Sequence, residues 1–158
     1  MKGTDFDELA FFRAIMSSGA RSLLIGRRAL VVLGLPVPTA DYDFWLHIDD
    51  IERFNEAASA FDLQPSFDAS TARRRGRYVL ENDERVDVLV ARSVPTVEGQ
   101  AVTFDELWAA RELVALTDDV SVALPSLAGL ILTKRFAARP KDVEDIRLLE
   151  VLRTERER

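Results

Sequence analysis

Thr39-Ala40-Asp41-Tyr42-Asp43-Phe44-Trp45-Leu46-His47-Ile48 alternates as a strand does, and the alternation separates two kinds of chemistry. Asp41, Asp43, Trp45 and His47 fall on one face, and Tyr42, Phe44, Leu46 and Ile48 on the other, because successive strand side chains point to opposite sides. Two aspartates at i and i+2 therefore share a face, with Cα atoms about 6.6 Å apart. From that spacing their carboxylates can converge on one or two cations. Phe44-Trp45-Leu46 is strongly apolar, so the pair opens a buried strand.

Arg85-Val86-Asp87-Val88-Leu89-Val90 repeats the situation. Val86, Val88 and Val90 cover one face, and Asp87 sits on the other beside Leu89. A lone ionised carboxylate in such a strand is costly unless it is paired or metal-bound. Three aspartates on two neighbouring strands form the hard, oxygen-rich set that magnesium or manganese accepts. Two-metal phosphoryl-transfer sites hold their ions roughly 3.5–4 Å apart, a span such carboxylates can bridge. The plainer readings are a D-x-D pair that caps a turn or meets arginine, and an Asp87 neutralised by Arg85 or Arg92.

Composition narrows the choice of metal chemistry. There is no cysteine and one histidine, His47, which rules out disulfides, thiolate zinc sites and multi-histidine sites. A length of 158 residues predicts one domain over residues 1–158, with a core at about 20–92 and C-terminal strands and helices at about 112–153. A net charge of −6 argues against the whole surface serving as a nucleic-acid footprint. No apolar run reaches the roughly 20 residues of a membrane span, and the N-terminus lacks a basic region followed by an apolar run. A cytoplasmic location without membrane contact is the expectation.

Working outward, Thr4 and Gly19 bracket an apolar-periodic helix, Ser22–Ile25 is a short strand, and Gly26 turns into a helix at Arg28–Leu33. Asp49–Phe61 reads as an amphipathic helix. Strands are expected at about Gln64–Ala69, Tyr78–Glu81 and Val86–Val90, with Arg73-Arg74-Arg75 and Arg77 as a solvated hairpin tip or as a basic patch for an acceptor RNA or an acidic partner. Phe104–Ala110 suits a short helix, and Leu113–Leu116 and Val120–Leu124 suit strands. Pro125 is placed at the first position of a helix over Ser126–Ala138, and Pro140 opens the last helix. The sum is an α+β (or α/β) arrangement, a mixed β-sheet flanked by helices with a C-terminal helical pair.

Taken together, Leu24-Ile25-Gly26-Arg27-Arg28-Ala29-Leu30, Gly34 and Thr39-Ala40-Asp41-Tyr42-Asp43-Phe44 resemble the signature of the polymerase-beta-like minimal nucleotidyltransferases. Val86-Asp87-Val88-Leu89 resembles that superfamily's third-aspartate strand. Leu124-Pro125-Ser126-Leu127, Lys134, Arg139-Pro140-Lys141-Asp142 and Asp145-Ile146 resemble the tail of abortive-infection-type (AbiE toxin-like) nucleotidyltransferases. The resemblance implies a nucleotidyltransferase fold and magnesium-dependent transfer of a nucleoside monophosphate from a nucleoside triphosphate to a hydroxyl. The acceptor would be a protein side chain, an RNA end or a small molecule, in a toxin–antitoxin or phage-defence setting. By matching positions, Asp41 and Asp43 would bind both metals, Asp87 would bind the catalytic metal and help deprotonate the acceptor, and the Gly26 turn would face the triphosphate.

Arg27 departs from the pattern, which has a small residue there. It either obstructs the approach to phosphate or grips it with its guanidinium. Thr39 either bonds the backbone of the metal-site turn or only shapes the loop. Lys134 shares a helical stripe with Leu127 and Ile131, and is either a phosphate ligand or a stem snorkelling to water. Asp142 and Asp145 are read as helix caps or as partners that orient Lys134 or an arginine. Trp45 floors the site or fills the core, and His47 is a packed edge residue or a base. The competing functions are a non-catalytic module of the same fold that binds a partner protein, and a plain metal-binding domain.

Overall fold

A computed structural model describes residues 6–158. The expected Thr4 cap lies outside them; the first helix, α1, runs Glu8–Ser18 behind an Asp7 cap that accepts the Ala10 N–H at 3.0 Å, and Gly19 at φ +75° ends it. The chain continues through β1 (Ser22–Ile25), α2 (Gly26–Val32), β2 (Tyr42–Leu46), a 3-10 turn (Ile48–Asp50) and α3 (Ile51–Ser59). After these come β3 (Gln64–Pro65), α4 (Ala69–Arg75), β4 (Arg77–Glu81) and β5 (Arg85–Leu89). The remainder is β6 (Ser93–Pro95), β7 (Ala101–Thr103), α5 (Phe104–Ala109), β8 (Glu112–Ala115), β9 (Ser121–Leu124), α6 (Leu127–Lys134) and α7 (Pro140–Arg156).

The main sheet is mixed and ordered β1-β2-β5-β4-β3. β2 and β5 run parallel, and the other neighbours are antiparallel. β6–β7 and β8–β9 are separate two-stranded ribbons. One face of the sheet, carrying Leu24, Tyr42, Phe44, Leu46, Val86 and Val88, packs on α1 and α3. There Phe11 meets Tyr42 edge-on at 5.7 Å and Phe44 meets Phe54 at 5.2 Å. The opposite face is apolar only in part. Leu23 and Trp45 bury against Val102, Phe104 and Leu107, with Phe136 edge-on to Trp45 at 5.7 Å. The remainder of that face holds the aspartates.

Three expectations are corrected. The strand expected to run to Ala69 stops at Pro65, and Ala69–Arg75 is helical. Asp68 caps that helix by accepting the Thr71 N–H at 2.8 Å, and Gly76 ends it at φ +80°. The arginine cluster is therefore the last turn of α4, where cations suit the helix dipole. Arg73 bonds Glu52 and the Ile48 carbonyl, and Arg75 lies over Phe67. Pro125 stands before the α6 cap and not at its first position, because Ser126 accepts the Gly129 N–H at 3.1 Å; Pro140 does open α7. Finally, β2 is shorter than the expected Asp41–Ile48. The Asp41 backbone is held in a turn by Thr39, and His47 accepts the Asp49 N–H to start the 3-10 turn.

Candidate active site

Parallel pairing of β2 with β5 sets Asp43 directly beside Asp87, in one row that continues to Ile25 on β1 and Val79 on β4. Neighbouring strands lie about 4.8 Å apart, so the two carboxylates necessarily feel each other. Asp43 is half-buried. Burial first, then the charges of Asp87 and Asp41, push its carboxyl up to about 6, against the opposing pull of Lys134 and Lys141. Among the described residues no donor bonds the Asp43 carboxylate and no cation pairs with it. Asp41 is exposed at the rim, one residue before the strand. Thr39 Oγ1 accepts the Asp41 N–H and donates to the Asp41 carbonyl, both at 3.3 Å, so Thr39 shapes the turn that presents Asp41.

Asp87 is gripped by Arg85, whose Nη2 lies 3.1 Å from Oδ1. Both groups are solvent-accessible, and the ion pair is a surface one. Among the described residues no three acidic or histidine side chains close into a tight ligand cluster. The residues nonetheless fit a divalent cation chemically: they are all-oxygen donors, and the half-buried Asp43 carboxylate has no partner among the described residues. The backbone also leaves the space. Gly26 adopts φ +69°, and a Cβ there would overlap Asp43 Oδ2. Gly26→Ala is expected to lower stability by about 2–4 kcal/mol, from left-handed backbone plus overpacking, and to displace Asp43. Urea denaturation checks the first effect, and loss of divalent-ion binding in calorimetry checks the second.

A second polar centre faces the first. Asp145 of α7 is fully buried, and its Oδ2 accepts from Lys134 Nζ at 2.7 Å and from Arg27 Nε at 3.2 Å. Lys134 itself is buried, so its stem does not snorkel to water and its ammonium is engaged by Asp145. Arg27 reaches the same carboxylate from the first turn of α2 and leans on the Pro38 carbonyl. One carboxylate thus ties the Gly26 turn to the C-terminal helical pair. Its other oxygen, Oδ1, is buried and takes no hydrogen bond from the described residues. Asp142, also buried, accepts the Arg139 backbone N–H at 3.2 Å and its Nε at 2.8 Å. Arg139 and Lys141 both act electrostatically on Asp43, so the start of α7 brings further positive charge to the site.

Trp45 is wholly buried, its indole N–H donating to the Ala91 carbonyl at 2.9 Å, and it fills core. His47 packs edge-on against Phe104. Of the two arginines expected as neutralisers of Asp87, Arg85 is the one that pairs with it; the approach of Arg139 and Lys141 to Asp43 was not foreseen. The basic residues flanking Pro140 were the available signal for the latter.

No family model matches the chain and no curated protein matches it. Solved structures do share its architecture. A lincosamide antibiotic adenylyltransferase, LnuA, solved with lincomycin bound, superposes with a TM-score of 0.60 at 14% identity, covering 93% of this chain and 98% of its own. The antibiotic-resistance factor ANT(2'')-Ia gives 0.59 at 13% identity over 98% and 93%. A candidate nucleotidyltransferase from Thermotoga maritima gives 0.57 at 15% over 94% and 89%. The fold is that of the nucleotidyltransferases. Within the nucleotidyltransferase fold, the mixed sheet and its flanking helices are as expected from the sequence, and each neighbour is spanned nearly end to end. No described helix is long and apolar enough to cross a membrane.

Proposed function

We propose that the chain transfers a nucleoside monophosphate from a nucleoside triphosphate to a hydroxyl, releasing pyrophosphate. The observation that carries this reading is the cross-strand pair Asp43 and Asp87, in which a half-buried carboxylate with no hydrogen-bond partner among the described residues stands beside a second one and against Gly26, which has no Cβ. Asp41, Asp43 and Asp87 would hold magnesium or manganese, which when bound supplies positive charge to the triphosphate oxygens. Burial of Asp43 makes its ionised form costly alone and so favours a cation beside it. Lys134, Arg27, Arg139 and Lys141 border the site on its other side, where an anionic chain of phosphates is complemented.

In the transfer, the acceptor oxygen forms a bond to the α-phosphorus while the bond from that phosphorus to the α–β bridging oxygen breaks. The hydroxyl proton passes to Asp87, whose carboxylate is solvent-accessible. Pyrophosphate departs toward the basic side chains. Positioning and electrostatics carry most of the rate. One neighbour of the same fold is an antibiotic-resistance factor and another is a lincosamide antibiotic adenylyltransferase, which favours a small hydroxylated acceptor over a protein side chain or an RNA end. A toxin–antitoxin setting remains a further arm of the proposal, read out as growth arrest on expression.

Arg27 favours a second reading, a non-catalytic module that binds a partner protein. Its guanidinium is tied to Asp145 beside the turn where the resemblance has a small residue. Differential scanning fluorimetry with each of the four triphosphates plus magnesium or manganese separates the two. A ligand at 100 times its Kd stabilises by about 2.7 kcal/mol, which for this size raises Tm by roughly 6–10 °C. A metal-dependent rise, lost in Asp43→Ala, supports the enzyme. No rise with any triphosphate supports the module.

A further inference from the structure

Arg85 occupies the third carboxylate more fully than any other residue does. Its Nε lies 3.3 Å from Asp87 Oδ1 and 3.2 Å from Oδ2, and its Nη2 lies 3.1 Å from Oδ1, so one guanidinium covers both oxygens. Arg85 and Asp87 share a sheet face two residues apart on β5. A second carboxylate is within reach of the same side chain. Glu81 on β4 is the direct cross-strand partner of Arg85, on the same face. Among the described residues Glu81 makes no ion pair, and its charge already acts on Arg85. The Arg85 side chain is 51% exposed, so no packing holds it in its present seat.

We infer that Arg85 is a swinging counter-ion, seated on Asp87 when no divalent cation is present and transferred to Glu81 when one binds. The inference rests on the reading that the aspartates hold a divalent cation. Without the guanidinium, Asp87 would face the carboxylates of Asp43 and Asp41 with no paired cation of its own. With a cation present, both Asp87 oxygens are needed elsewhere, and a guanidinium and a metal ion repel each other. The exchange is cheap because a half-exposed ion pair on a strand is weak and solvent-screened. Opposite charges directly across an antiparallel pair attract to a similar small extent, so Glu81 is a seat of nearly equal depth. Arg85 and the cation thus compete for Asp87, and the protein keeps its acidic row compensated in both states.

Calorimetric titration of the full chain with Mn2+ tests this without requiring turnover. Arg85→Ala and Arg85→Gln are expected to bind Mn2+ about three- to fivefold more tightly than the parent, the range an exposed pair can contribute. Arg77→Ala removes an arginine from the same face two rows away, opposite Leu89, and is expected to change affinity less than twofold. Glu81→Gln should weaken binding about twofold in the parent and leave the Arg85→Ala chain unchanged, as a double-mutant cycle requires. If the folded parent and the folded Arg85 variants all fail to bind Mn2+, the metal reading itself falls, and this inference with it. If the parent binds but the Arg85 variants bind no more tightly, or Arg77→Ala tightens binding equally, the counter-ion exchange is overturned while the metal site stands.

Discussion

Asp145→Ala is expected to lower unfolding free energy by about 3–5 kcal/mol, the loss typical when one partner of a buried ion pair is removed. Asp145 is wholly buried, and Lys134, whose ammonium it holds at 2.7 Å, is buried too. Without the carboxylate, the buried Lys134 side chain is left with no ion-pair partner among the described residues, while Arg27, one-fifth exposed, can turn to solvent. The buried lysine therefore dominates the loss. Replacing both partners, as in Lys134→Met with Asp145→Leu, should restore most of it, since a well-packed apolar pair avoids desolvating either charge. Urea denaturation of the single and double variants measures both effects. A single-variant loss under about 1 kcal/mol would mean that the triad is solvated and does not join α2, α6 and α7.

Asp43→Asn is expected to abolish nucleotidyl transfer, by at least about a hundredfold in kcat/KM, and yet to stabilise the metal-free fold. Asp43 is held at about 6 in the fold, above its ordinary 3.8, first by burial and then by Asp87 and Asp41. The folded chain thus binds more protons than the unfolded one between those values. Stability from this group is full below about 3.8 and is lost as pH rises through about 6. The loss amounts to roughly 3 kcal/mol at neutral pH, and asparagine should recover much of it. Denaturation from pH 4 to pH 8 in chelator should show the parent falling and Asp43→Asn flatter. Added magnesium should flatten the parent as well, because the cation stabilises the ionised carboxylate. A parent curve that rises across that window would contradict the assignment of Asp43 as the strained carboxylate.

These two residues show what could be read early. Asp43 was legible because a period of two puts Asp41 and Asp43 on one face of an apolar strand, and the same period isolates Asp87. Gly26 was legible as a turn, though not as the surface against which Asp43 lies. Lys134 was placed on the core stripe of its helix by spacing alone, and Asp142 and Asp145 were read as caps or as partners of Lys134 or an arginine. The structure assigns each: Asp142 takes the Arg139 backbone N–H, and Asp145 takes Lys134 and Arg27 together. Residues 69–75 were misread because an Ala-Ser-Thr-Ala run ahead of arginines carries almost no apolar period. Only the Asp68 cap and the Gly76 stop mark that helix.

Which side chains share a face follows from the order of residues alone, because strand and helix periods are set by local backbone geometry within a few residues. The hard-donor character of the site follows from composition, since a chain with no cysteine and a single histidine has little else to offer a metal. That β2 pairs in parallel with β5, skipping two intervening strands, two α-helices and a 3-10 turn, and so brings Asp43 beside Asp87, follows only from the tertiary fold. The same fold also decided that Arg27 meets Asp145 across 118 positions. Such pairings depend on which charges are desolvated together when the layers close, a property of the whole packed chain that no local period records.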